Sequence, residues 1–143
     1  PELMLHAQRM AEYLRYRSAL GVRLSELAIL VTARQWDQAV EWAIHAPIAA
    51  QAGIPAAVIA AVAARERPAD MLVDEAVVHD FCIELHETKA VSDRVYADAL
   101  ALFGEQGAVD LMGICGYYTL LAMVMNTART AVPDTGEPRG GPP

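Results

Sequence analysis

Between Ser25 and Gly53 the chain reads SELAILVTARQWDQAVEWAIHAPIAAQAG, which sets two glutamates, an arginine and a histidine into otherwise apolar helical sequence. An ionised carboxylate buried without a partner is costly, so Glu26, flanked by Leu24, Leu27, Ala28, Ile29 and Leu30, requires a partner or a proton. Glu41 and His45 stand four apart and share one helical face. Arg34 reaches the same space if the two helices pack as an antiparallel hairpin around Asp37. Together these groups are equipped for acid–base chemistry. His45 is the proton carrier because its reference pKa lies near neutrality, Glu41 and Glu26 orient and tune it, and Arg34 holds an anion. The same spacing also describes a plain solvated helix pair worth about 0.2–0.5 kcal/mol. For Arg34 alone a structural salt bridge is the simpler role. Trp36 and Trp42 read first as packing anchors, and Trp42, next to Glu41, is retained as a substrate-facing candidate.

The elements that must position these groups are all helical, because no β-alternation of useful length occurs. A first helix is expected from about 2 to 18, a second from 22 to 36 and a third from 38 to 52, stopped at Gly53. A short fourth opens at Pro55 and ends before Pro68. Leu72, Val73, Ala76, Val77, Phe81 and Leu85 mark a fifth, amphipathic helix from 71 to 87. Ser92 caps a sixth that ends at Gly104, and a seventh runs from about 106 to 128. The expectation is therefore an all-α, single-domain bundle of about seven helices over residues 1–132. The remainder, 133–143, is a Pro/Gly-rich tail without core-forming side chains.

Composition narrows the partners. A net charge of −7 with no basic cluster argues against nucleic acid and anionic membranes. The apolar run Leu111 to Met125, fifteen residues, is shorter than the roughly 20 a bilayer requires and reads as a buried helix. An apolar fraction of 55% against 20% charge exceeds what one small globule needs, and the surplus is read as a subunit interface. Cys82 and Cys115 form no CxxC pair, which suggests a reduced, cytoplasmic protein. His79, Cys82 and His86 share a stripe, but residues seven apart lie about 10 Å apart along a helix and cannot all meet one zinc ion. No metal site is expected. Tyr117 and Tyr118 lie on a helix buried on several faces, where at least one hydroxyl needs a partner. Asn126 has a weaker claim of the same kind.

The segments SELAILVTAR, EW, HAPIAAQAGIP and GYYTLLAMVMN resemble the carboxymuconolactone decarboxylase family, within the superfamily that holds the alkylhydroperoxidase D proteins. The resemblance runs from about Leu14 to Pro133. In the peroxidase branch a glutamate is followed by two spaced cysteines and a histidine, which fall here on Glu26, Gln38, Glu41 and His45. Both redox sulfurs are missing, so dithiol peroxide reduction by that route is excluded on chemistry. What remains resembles the cysteine-free branch, a lyase or isomerase acting on a small anionic lactone or unsaturated acid without metal or organic cofactor. The resemblance also places the GYY segment near the pocket, making Tyr117 and Tyr118 substrate contacts, and implies a homotrimer or a dimer of trimers. The rival expectation is a non-catalytic binding or assembly protein that keeps the fold. An enclosed pocket shared by Glu41, His45 and Arg34 separates the two.

Overall fold

A computed structural model of the chain describes residues 2–134. Six helices follow in order: α1 (Glu2–Tyr16), α2 (Gly21–Gln35), α3 (Ala39–Gln51), α4 (Ala56–Ala63), α5 (Val73–Thr88) and α6 (Asp93–Ala128). No strand occurs among the described residues. The long α6 is two helical segments that meet at Gly104, whose φ 66° and ψ −178° are not helical, so the helix end expected there coincides with a kink inside a single element. Apart from Pro133 and Asp134, the Pro/Gly-rich tail lies outside the described residues.

Helix α2 is the centre. Ten consecutive residues, Leu24 to Ala33, are buried, so it has no wet face along most of its length. Every other helix packs against it. The core around it is built from Leu27, Ile29, Leu30, Phe81, Leu111 and Ile114. Such burial contributes about 25 cal/mol per Å² of apolar surface removed from water.

Polar clamps fix how the outer helices meet this rod. Arg23 of α2 bonds to Glu75 at 2.6 Å and also to Asp74, both in the first turn of α5. The other Glu75 oxygen accepts the Leu72 N–H at 3.0 Å, so one buried carboxylate both caps α5 and docks it. At the opposite corner buried Asp110 of α6 accepts from the Tyr13 hydroxyl at 2.9 Å and the Ala19 N–H at 2.8 Å. Ser92 starts α6 by accepting from the Val95 N–H, as its position predicts. The apolar run 111–125 belongs to a longer helix than expected. By length and composition alone α6 would suffice to cross a membrane, and it packs here on α1, α2 and α5.

The Gly104 kink has a neighbour that depends on it. A Cβ at Gly107 would lie 2.4 Å from Cβ of Phe103, an atom that cannot move without the backbone, whereas a Cβ at Gly116 meets nothing within 4 Å. Gly107→Ala should therefore destabilise the fold by about 1–3 kcal/mol through overpacking. Gly116→Ala should be neutral or stabilise by up to about 1 kcal/mol through helix propensity. Urea or thermal unfolding of the two variants checks the contrast.

Candidate active site

The buried carboxylate of Glu26 finds the partner its position requires. Its Oε2 lies 2.7 Å from Nδ1 of His45, and the other ring nitrogen, Nε2, lies 3.1 Å from Oε2 of Glu41. Residue exposures are 5% for Glu26, 6% for Glu41 and 4% for His45, so the contacts are made away from water. Antiparallel packing of α2 on α3 brings Glu26 to His45, and the i,i+4 spacing brings Glu41. Gln38 starts α3, its Oε1 accepting the N–H of Val40 at 2.7 Å and of Glu41 at 3.4 Å. Its amide donates to Asn126 at 2.8 Å, which in turn donates to the Trp36 carbonyl at 3.0 Å. Gln38 and Asn126 thus hold the start of α3 rather than a substrate.

With a carboxylate on each nitrogen the imidazole carries both protons. Burial pulls its pKa down, but the hydrogen bonds and charges of Glu26 and Glu41 outweigh burial and raise it to about 9. At neutral pH the cluster is an imidazolium between two carboxylates. Tyr118 stands edge-on to the His45 ring at 5.3 Å between centroids, and Tyr117 edge-on to Tyr118 at 5.2 Å. Burial, then the negative charge of Glu41, raises both phenols above their ordinary pKa, Tyr118 the more strongly. Tyr117 and Tyr118 therefore join the site as O–H groups near Glu41. The positive charge that opposes that rise for both phenols is that of Arg15 on α1, an exposed residue whose guanidinium lies 5.8 Å from the Tyr16 ring and which the sequence reading did not select. No spacing pattern links α1 to residues 117 and 118.

No known protein family, curated protein or solved structure matches the chain.

Arg34 does not meet His45, and the expected convergence is corrected. It lies eight residues beyond Glu26, about 12 Å of helix rise. There its Nε donates to the Ala63 carbonyl at 2.7 Å and its guanidinium pairs with Asp37, which also takes both hydrogen bonds of Arg65 at 2.9 Å. It lines two pockets, of about 290 and 320 Å³, neither of which includes Glu26, Glu41 or His45. Trp42 is half-buried and lines the second with Arg34 and Gln38, away from the His45 ring. The three residues of the α5 stripe diverge. His79 pairs with Asp80 at 3.0 Å, while His86 Nε2 lies 2.9 Å from the Thr32 hydroxyl. Cys82 meets Cys115 with 3.5 Å between sulfurs, an approach that sequence separation hides.

The raised His45 pKa makes stability pH-dependent with a definite sign. A group whose pKa rises on folding stabilises fully below its unfolded value, near 6.5, and loses that contribution as pH passes about 9. Urea unfolding should show stability falling between pH 6.5 and 9 by on the order of 3 kcal/mol. In Glu26→Gln that slope should flatten.

Proposed function

We propose that the chain is a cofactor-free lyase or isomerase of the carboxymuconolactone decarboxylase kind, moving a proton on a small anionic lactone or unsaturated acid. The observation that carries this reading is the imidazolium of His45, buried and held at both nitrogens by Glu26 and Glu41. Such a group is a charged proton donor at neutral pH in a site of low polarity.

The chemistry runs through Glu41. Loss of CO₂ from a carboxylate leaves an electron pair in a dienolate, which must take a proton at carbon. Of the two carboxylates, Glu41 makes the longer bond to His45, begins a helix and faces the tyrosine pair. His45 Nε2–H passes its proton to Glu41, whose carboxyl delivers it, while Glu26 keeps the ring in place through Nδ1. Tyr117 and Tyr118 donate to the developing oxyanion, and Arg15 takes the role of anion-holding cation that Arg34 cannot fill. In isomerisation the same pair removes and returns one proton without loss of carbon. The setting of this reading is a reduced cytoplasm.

Self-association belongs to the same proposal. Leu3, Leu5, Met10 and Tyr16 on α1 and Val109, Met112, Met123 and Val124 on α6 are exposed. These two helices flank the Tyr117–Tyr118 corner, so a trimer or dimer of trimers would roof the site. Light scattering should give a mass well above the single-chain 15.4 kDa.

A second reading, a binding or assembly protein without chemistry, is favoured by two observations: His45 is already satisfied at both nitrogens within the chain, and the pockets that Arg34 lines do not include Glu41 or His45. A panel of small lactone and unsaturated carboxylates, assayed for CO₂ release and for solvent-deuterium incorporation, separates the two. On the catalytic reading one class turns over. His45→Ala should then slow the chemical step by about 10²-fold or more, and Arg15→Ala should raise KM more than it lowers kcat. Glu41→Gln should abolish the relay and shift any residual pH profile downward. Binding with neither CO₂ nor deuterium exchange would leave the second reading.

A further inference from the structure

The two cysteines lie 33 residues apart in sequence and meet in the interior, Cys82 from α5 and Cys115 from α6, with their sulfurs 3.5 Å apart. That is about 1.5 Å beyond the length of a covalent S–S bond. The Thr32 hydroxyl bonds to Nε2 of His86 at 2.9 Å, and both groups act on Cys115 in favour of its thiolate. A buried thiol needs no explanation beyond packing. Packing does not explain a second thiol in contact with it, nor an imidazole and a hydroxyl beside the pair. Half-buried His86 also lines a pocket of about 510 Å³ together with Gln35, Trp36, Lys89 and Thr119. Neither sulfur lines it, but Cys82 lies one turn before His86 on α5 and Cys115 one turn before Thr119 on α6, so the pair sits beneath this pocket's lining.

We propose that Cys82 and Cys115 form a reversible dithiol–disulfide site, in which a small hydroperoxide entering by the His86 pocket converts the pair to an intrachain disulfide joining α5 to α6. Cys115 is the attacking sulfur. The contact with Cys82 favours its thiolate, His86 and Thr32 add to that effect, and together they outweigh burial. Its bond to Cys115, together with burial, holds the Cys82 thiol up. His86 takes the Cys115 proton, and the thiolate attacks the terminal peroxide oxygen. The O–O bond breaks, and the leaving alkoxide or hydroxide takes the proton back from His86. Cys115 is now a sulfenic acid. Cys82 attacks that sulfur, the S–O bond breaks, and hydroxide leaves with the Cys82 proton as water. Two thiols have lost two electrons and two protons, and the peroxide has become an alcohol, or water, plus water. The site uses none of the groups assigned to acid–base chemistry.

The test uses the full chain and hydrogen peroxide. One equivalent should remove both thiols, lower the intact mass by two hydrogens and yield a peptide linking 82 to 115, all reversed by dithiothreitol. In Cys82→Ser the sulfenic acid has no partner, and dimedone should trap it at Cys115. Cys115→Ser should leave Cys82 at least about tenfold slower to react, and His86→Gln should slow the first step in the otherwise intact chain. Circular dichroism checks that the near-isosteric variants fold, and disulfide mapping of the unaltered chain does not depend on them. Thiols that survive excess peroxide, a disulfide between two chains, or a dimedone adduct that forms at Cys82 instead would overturn the proposal.

Discussion

A helix with no wet face must satisfy every polar side chain it carries from inside the fold, and α2 is such a helix. Glu26 is met by His45 of α3, and Thr32 by the carbonyl of Ala28 and by His86 of α5. Arg23 and Arg34, at its two ends, are met by the start of α5 and by the corner after α4. Only the hydroxyl of Ser25 is buried without a partner among the described residues. The placement of α3 and α5 follows from these demands as much as from apolar packing, because a lost partner leaves a buried polar group whose cost exceeds that of an ordinary surface contact.

The two chemically loaded places in the molecule are consequences of that constraint. Glu26 and Thr32 are six residues apart, so they leave the helix on different sides. One side meets α3 and gives a charged cluster of two carboxylates and one imidazolium, with Tyr117 and Tyr118 beside it. The other meets α5 and α6 and gives a cluster of a hydroxyl, an imidazole and two cysteine sulfurs. The first is suited to moving protons and the second to exchanging electrons, and the packed body of α2 keeps them apart.

The chain shows the first cluster openly and hides the second. Glu26 stands out as a charge in an apolar run, and Glu41 and His45 are linked by one helical turn, so local rules suffice. Helix positions are legible for the same reason, down to the Ser92 cap and the break at Gly104. At that break two helical segments meet across a non-helical Gly104, and Gly107 leaves room for Phe103 just beyond it. Arg34 was drawn to His45 by its charge, although a rigid helix holds it about 12 Å from Glu26. Arg15, Cys82 and Cys115 find their neighbours only through the packing of α1, α5 and α6, for which no short-range pattern exists.

Because the helix that every other described helix packs against is made well before its covers α5 and α6, biosynthesis meets a problem of timing. When residue 52 has left the ribosome, α2 and α3 can pair and satisfy Glu26, but the side carrying Thr32 and its apolar neighbours stays bare until about residue 128 follows. At roughly 5–20 residues per second that interval lasts several seconds, long enough for an exposed apolar helix to find the wrong partner. The α2–α3 hairpin is thus half-dressed for as long as α5 and α6 are missing, and truncation within α6 would leave an uncovered apolar side rather than a smaller folded unit.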